Sequence, residues 1–344
     1  DQPRLNYDIS NGVVQSCPSL LLEPSRSNAI TNSDSFGSTG WSNFVSGTAV
    51  TTIVTDNYAI SPDGTKNAQR IQFNLGGGTT ASDRAVVRQN IGSQTDWFLS
   101  VYMKSTNGTD QNILWHTGGD GSQTTVTGEW KRYILSQNSI SNSWAGLALR
   151  GSISTVNSAD ILVYGFQAEQ GSYQTSIIPT SGAIQTRAAE TCIKENLSST
   201  ILNPSYPFSM YAKCDIISTN SGYAITLSNP LVSSQYFTME YYSNLWHITS
   251  RPNGASIRAS STTAPTIGTH KVLGIWTQSD MKLYLNGSLI VSGTNNEAWN
   301  NAVNGLLLGQ LRTVGDTGSR NPIREAQFFK TELTNAQAVT LTTL

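Results

Sequence analysis

Charged side chains are scarce in this chain of 344 residues. Lysine, arginine, aspartate and glutamate together make up 12% of it, and the formal net charge is −1, whereas a typical soluble domain has about 25% charged residues. No run of basic residues is longer than the pair Lys131 and Arg132. A nucleic-acid backbone is bound by a stripe or patch of basic side chains. We therefore expect no nucleic-acid partner.

Long apolar runs and cysteines are also lacking. No stretch approaches the roughly 18–20 uninterrupted apolar residues of a membrane-spanning helix, so we expect no membrane partner. Three cysteines are too few for a disulfide scaffold. A bridge between Cys17 and Cys192 is one alternative, and free buried thiols are the other. The chain begins at Asp1 without a signal-peptide pattern, which we interpret as a processed product or a fragment.

Catalytic signatures are missing as well. The chain has no G-x-S-x-G, H-E-x-x-H or phosphate-loop motif and only three histidines. Retaining glycoside hydrolysis needs two carboxyl groups about 5 Å apart, whereas Glu240 stands alone in its predicted strand. The group nearest to eliminative lyase chemistry is Tyr241, Tyr242, His247 and Arg251. We predict that the protein is not an enzyme, and a polysaccharide lyase or hydrolase acting on capsule remains an alternative.

What is present is a strand pattern that occurs twice. LSVYMKS from Leu99 corresponds to FSMYAKC from Phe208, and GEWKRYIL from Gly128 corresponds to GTHKVLGI from Gly268. Alternating apolar and polar residues in short runs between turns are typical of β-sandwiches. The predicted fold class is all-β, with two tandem antiparallel β-sandwiches of the jelly-roll type. The predicted organisation is a linker segment at 1–27 and modules at 28–192 and 193–344.

Two local signals in the second module are stronger than the rest. Asn286 and Gly287 stand between two apolar runs, and this dipeptide favours a β-hairpin. Near the end of the chain, Thr334 precedes an alanine-containing run, which predicts a short capped helix.

These segments carry resemblances to known families. FSMYAK, KLYLNGSLIVSG and FFKTELTNAQAVTL resemble the laminin G-like group of concanavalin A-like jelly rolls. NAITNSDSFGSTGW, SPDGTKNAQRI, FLSVYMKS and ADILVYGFQAEQG are similar to carbohydrate-binding modules of the jelly-roll type. The flanking CPSLLLEPSRSN and GSYQTSIIPTSGAIQTRAAE are similar to modules of bacteriophage head or tail fibres. The resemblance implies a virion protein that attaches to a bacterial surface polysaccharide.

Sugar binding needs flat aromatic rings for stacking and polar groups for the hydroxyls. Trp115 is the leading candidate platform, with His116 and Asp120 as polar partners. The further candidates are Trp41, Trp97, Trp246 and Trp299. For each tryptophan, a place in the core is the alternative.

The resembled families often bind a structural calcium ion near a sheet edge. The resemblance implies such a site at Asp160, with Glu23 or Asp34 as a further ligand.

The leading functional hypothesis is a non-enzymatic fibre or decoration protein of a phage virion that binds host-surface glycan. By analogy with fibres, we expect a homotrimer that contacts other virion proteins. A purely structural spacer or decoration protein without a ligand is the second hypothesis, and the polysaccharide-cleaving enzyme is the third.

Overall fold

The computed structural model describes residues 4–6, 9–10, 13–14, 19–92, 97–118, 121–137, 144–171, 173–190, 192–195, 197, 205–309 and 319–344. The chain divides into two units, one formed by residues 25–187 and the other by residues 1–24 together with 188–344. We call them the central unit and the terminal unit.

Short β-strands account for nearly all the regular structure in the described part of the chain. The first four are β1 Arg4–Asn6, β2 Ile9–Ser10, β3 Val13–Val14 and β4 Ser19–Leu21. The central unit contains β5 Arg26–Asn28, β6 Trp41–Ser46, β7 Val50–Ala59, β8 Ala68–Asn74, β9 Arg84–Asn90, β10 Trp97–Ser105, β11 Gln111–His116, β12 Gln123–Val126, β13 Lys131–Gln137, β14 Trp144–Arg150, β15 Ser158–Gln170 and β16 Gln185–Arg187. The remaining elements are β17 Ile193–Lys194, β18 Phe208–Ile216, β19 Ser221–Asn229, β20 Val232–Tyr242, β21 Leu245–Arg251, β22 Ile257–Ser260, β23 Gly268–Trp276, β24 Asp280–Leu285, β25 Ser288–Thr294, β26 Gly305–Leu308, β27 Ser319–Arg320, β28 Ile323–Phe329 and α1 Asn335–Thr342.

The central unit is a sandwich of two antiparallel sheets. One sheet has the order β13-β10-β15-β8-β7 and the other has the order β12-β11-β14-β9-β6. Their facing side chains form one apolar core, to which β10 contributes Leu99, Val101 and Met103. These three side chains alternate with more polar ones, as predicted, because successive residues of a strand point to opposite faces.

The terminal unit is a second sandwich. Its sheets have the orders β1-β4-β28-β18-β23-β24-β25 and β17-β26-β19-β20-β21-β22, and β27 pairs in parallel with β19. Phe208, Phe237 and Trp276 are among the aromatic residues of its core. Helix α1 covers a smaller apolar cluster that includes Tyr284 and Ala338. The structure thus confirms the all-β class with tandem sandwiches and one short helix.

The first residues of the chain differ from the prediction of a linker. Strand β4 joins the terminal unit's sheet, where Leu20 pairs with Ile323, and Leu22 is fully buried. Residues 1–24 therefore belong to the terminal unit, because the Leu20–Leu22 run needs an apolar face to cover it. No helix among the described residues is long and apolar enough to cross a membrane.

Candidate functional site

The side chains that we assign to a site lie on the outer face of the sheet β12-β11-β14-β9-β6. Strand β9 shows how this face arises from alternation. Ala85 and Val87 point into the core of the central unit, so Arg84, Val86 and Arg88 point to the other side. We call this surface, built by β6, β9, β11, β12 and β14, the arginine face.

Pairing between strands arranges this face in rows. Arg88 lies opposite Ser42 on β6 and opposite Gly146 on β14, and Gly146 lies opposite His116 on β11. A Cβ atom at Gly146 would lie 2.0 Å from the carbonyl oxygen of Val87 and 2.7 Å from Cα of Arg88. Only glycine fits this row, because any side chain at position 146 would displace the strand that carries Arg88.

Arg88 is held between two aromatic rings. Its guanidinium carbon lies 4.6 Å from the ring centre of Phe44 and 4.1 Å from that of Trp144. Such cation–π contacts contribute about 0.5–2 kcal/mol, depending on solvent exposure. Phe44 also packs against an outer apolar cluster formed by Val86, Leu114 and Ala148. The arginine and the rings therefore form a rigid, partly exposed surface of mixed polarity.

His116 completes this arrangement as a neutral group. Its Nε2 atom lies 3.5 Å from Nη1 of Arg88, and an arginine can only donate a hydrogen bond. Burial, then the positive charges of Arg88 and Arg84, lower the pKa of His116 to about 4. At neutral pH the imidazole is therefore an uncharged acceptor beside a permanent cation.

Amides and hydroxyls continue the face toward β12. The side-chain amide of Asn112 donates to Oγ1 of Thr155 at 2.8 Å, and its oxygen accepts from Oγ1 of Thr125 at 2.9 Å. Gln123 is exposed beside them. Groups of this kind can both donate to and accept from sugar hydroxyls.

The structure contradicts a stacking role for three predicted tryptophans. Trp115 is 1% exposed and contacts Phe166 edge to face at 6.0 Å, and its Nε1 donates to Thr124. Trp97 and Trp246 are also buried in the cores of their units. Each of these tryptophans lies two residues from a core residue on its own strand, so its ring points into the core. None of the three rings offers a face to a sugar.

Trp41 and Trp299 are half-buried and pack against aromatic side chains. Trp41 stacks on Phe36 with ring centres 4.4 Å apart and donates from Nε1 to the carbonyl oxygen of Asn32. Trp299 lies parallel to Phe237 with ring centres 5.5 Å apart. Both rings thus extend the cores of their units.

The residues predicted for calcium are bonded to other groups. Asp160 accepts from Nε and Nη2 of Arg70, and Asp34 accepts from the amide of Gly165. Glu23 belongs to the terminal unit, where its amide donates to Glu190. Within the described ranges, no three His, Cys, Asp or Glu side chains are grouped as metal ligands. The structure thus does not bring Asp160, Glu23 and Asp34 together.

The residues considered for lyase chemistry do not converge. Tyr241 lies in the core of the terminal unit, whereas its neighbour Tyr242 points to the other face and stacks on His247 at 4.1 Å. The imidazole of His247 has Ser260 and the carbonyl oxygen of Tyr242 as hydrogen-bond partners. Arg251 donates to the carbonyl oxygen of Gly254.

The isolated carboxyl group of Glu240 is engaged as well. It accepts from Thr249 at 2.8 Å and forms an ion pair with Arg258 at 3.3 Å. Burial raises its pKa, and the hydrogen bond from Thr249 and the charge of Arg258 act in the opposite direction. The predicted role of Asp120 lies outside the described residues, as does Cys17. Cys192 and Cys214 are free thiols, so for both of them the free-thiol alternative holds.

The arginines of the site were missed in the sequence, although a signal exists. Arg84 and Arg88 in RAVVRQN are four residues apart, and Trp144 and Arg150 in WAGLALR are six residues apart. Residues separated by an even number of positions point to the same face of a strand, which here predicts an outer face with basic and aromatic side chains.

Comparisons with known proteins give no family. No protein-family model and no curated protein matches the chain. Among solved structures, the CBM40 module of Ruminococcus gnavus IT-sialidase bound to alpha2,3 sialyllactose has 14% identity and a TM-score of 0.35, covering 40% of this chain and 83% of that chain. The receptor-binding domain of botulinum neurotoxin mosaic serotype C/D has 15% identity and a TM-score of 0.32, covering 49% of this chain and 48% of that chain. Sheep galectin-11 in complex with glycerol has 7% identity and a TM-score of 0.30, covering 42% of this chain and all of that chain. At these scores the function has to be argued from the side chains of this protein.

Proposed function

We propose that the protein binds carbohydrate, without cleaving it, on the arginine face of the central unit. The observation that carries this proposal is the placement of Arg88 between Phe44 and Trp144, next to the neutral His116. A sugar ring presents C–H groups on its faces and hydroxyls at its edges. The half-buried aromatic rings meet the first requirement, and the guanidinium, imidazole and amides meet the second.

The absence of cleavage is part of the same proposal. The carboxyl group of Glu240 is bonded to Thr249 and Arg258, and it lies in the terminal unit rather than on the arginine face. Cleavage by the usual hydrolytic mechanism requires a second carboxyl group facing the first across the sugar. The described part of the arginine face contributes arginine, histidine and amides instead.

We further propose that the chain serves in a bacteriophage virion, as a fibre or decoration protein that attaches to host-surface polysaccharide. The resemblance of CPSLLLEPSRSN and GSYQTSIIPTSGAIQTRAAE to phage fibre modules supports this role. A homotrimer would present several weak sites together, and linkage of sites raises apparent affinity by about 10²–10⁴-fold. Labelling of phage particles with an antibody against the chain tests the location.

The binding proposal is tested with the full chain on a glycan array of bacterial polysaccharides, followed by calorimetry on the best hit. We expect Arg88→Ala to weaken binding by at least about tenfold, as for an arginine at the centre of an interface. Arg132→Ala is the matched control, because Arg132 also lies over an aromatic ring, that of Tyr102, but on the other sheet of the same unit. This control should bind as the parent does.

Circular dichroism of both variants shows whether each is folded before binding is compared. A parent chain that binds no glycan overturns the carbohydrate function. Equal binding by parent and Arg88→Ala overturns the assignment to the arginine face.

A further inference from the structure

Two arginines at one end of the arginine face are held side by side. Arg84 on β9 lies opposite Arg150 on β14. Each donates from Nε to the same acceptor, the carbonyl oxygen of Ala81, at 3.0 Å. One carbonyl group thus fixes both guanidinium groups, and like charges so close together repel each other.

This positive charge lowers the pKa of neighbouring groups. Burial, and then the charge of Arg84, lower the pKa values of Arg88 and Arg150. The same charge contributes to the neutral state of His116. Three arginines and one neutral histidine therefore share a single face.

Three arginines elsewhere in this charge-poor chain are paired with carboxylates. Arg70 pairs with Asp160, Arg258 with Glu240 and Arg324 with Asp215. Among the described residues, Arg84 and Arg88 form no ion pair with a carboxylate. Arg84 and Arg88 thus carry positive charge that no described carboxylate neutralises, and an anionic ligand would stabilise it.

A small pocket lies between Arg84 and Arg150. Arg84, Arg150 and His116 line it, and Leu114 and Ala148 lie beneath. Its volume is about 10 Å³, close to the minimum of about 10–15 Å³ that holds one water molecule. A pyranose ring is too large for it, whereas an oxygen atom of a charged substituent matches its size.

The geometry points to an acidic sugar as the ligand, with its carboxylate seated between Arg84 and Arg150; this inference rests on the proposed carbohydrate function. The planar guanidinium group pairs with carboxylates through two parallel hydrogen bonds. Arg84 and Arg88 are four residues apart on one strand, which is about 13 Å. The face is therefore long enough for two sugar residues. The ring that bears the carboxylate would lie at Arg84 and Arg150, and the adjoining sugar would extend toward Arg88, Phe44 and Trp144.

The test uses the full chain on an array that contains carboxylated, sulfated and neutral polysaccharides and single-stranded DNA. We expect the hits to be carboxylated. Calorimetry then compares the best hit with the same polymer after chemical reduction of its carboxyl groups. The reduced polymer should bind at least about tenfold more weakly, and binding of the native polymer should weaken as sodium chloride is added.

Two variants test whether the carboxylate binds at Arg84. Arg84→Gln keeps a donor for the carbonyl oxygen of Ala81 but removes the charge, so the preference for the native over the reduced polymer should be lost. Arg132→Gln on the other sheet should keep it. Thermal unfolding of both variants shows whether the fold is intact.

The outcomes separate this inference from the proposed function. Equal binding of native and reduced polymer overturns the acidic-sugar inference and leaves carbohydrate binding in place, whereas the absence of any glycan hit overturns the proposed function. Preferential binding of sulfated sugar or of DNA overturns the assignment of a carboxylate ligand. If Arg84→Gln keeps the preference for the native over the reduced polymer, the proposed contact between the carboxylate and Arg84 is wrong.

Discussion

The imidazole of His116 makes the stability of the central unit depend on pH. Its pKa falls from the usual 6.5 to about 4, so between these values the unfolded chain binds more protons than the folded one. The contribution of His116 to the free energy of unfolding is fully present above about pH 6.5. It is lost as the pH falls to about 4, and the whole shift corresponds to about 3 kcal/mol. Urea unfolding at several pH values checks this.

His116→Gln is the comparison for that experiment. Glutamine has no proton to gain in this range, so the variant should lose less stability than the parent between pH 6.5 and 4. Equal losses in the two proteins would contradict the assigned pKa of His116.

The residue scale also shows why tryptophans were poor markers of the site. In QNILWH, Ile113 and Trp115 share one face of β11, and Leu114 and His116 share the other. Both faces carry an apolar side chain, so periodicity alone cannot say which one meets the core. The second sheet decides this, because its apolar face covers Ile113 and Trp115.

At the scale of elements, local signals were reliable where the backbone itself requires them. Asn286 and Gly287 have φ angles of 48° and 85°, which is the left-handed region that this dipeptide tolerates in a hairpin turn. Thr334 caps α1 and, together with Gln337, forms a reciprocal capping box. Both predictions are confirmed, because a few neighbouring residues determine these structures.

The cap of α1 allows a direct measurement. Thr334→Ala removes the acceptor for the backbone N–H of Gln337, and we expect a loss of about 1 kcal/mol from the stability of the terminal unit. Thr340→Ala is the control, because Thr340 is an exposed threonine inside the same helix and alanine has the higher helix propensity. Urea unfolding measures both, and an equal loss in the two variants would contradict the role of the cap.

Strand pairing, in contrast, was not available from local signals. Arg88, Gly146 and His116 are far apart in the chain and meet only because β9, β14 and β11 are neighbours in this register. A shift by one residue would move each side chain to the opposite face. The sequence could therefore indicate outward-facing residues on single strands, but the arginine face that these strands form together required the order of the strands.

At the scale of the whole molecule, the central unit lies in the sequence between the two segments, 1–24 and 188–344, that form the terminal unit. Leu22 is fully buried in the terminal unit, so Leu22→Ala should destabilise that unit by about 2–5 kcal/mol. Hydrogen–deuterium exchange should then show faster exchange in residues 205–309 and little change in residues 25–187. Leu99→Ala, in the core of the central unit, should give the reverse pattern.

Exchange that rises in residues 25–187 of Leu22→Ala, but not in residues 205–309, would contradict the assignment of the first residues to the terminal unit.

The sequence by itself determined the all-β class, the presence of two sandwiches, the hairpin at Asn286 and the final helix. These follow from composition, alternation and turn chemistry, which act over a few residues. Only the tertiary structure decided that β4 completes the sheet of the terminal unit, that Trp115 is a core residue, and that Arg84, Arg88 and Arg150 share one face. Those outcomes depend on which strands pair and in which register, and long-range burial of apolar surface sets both.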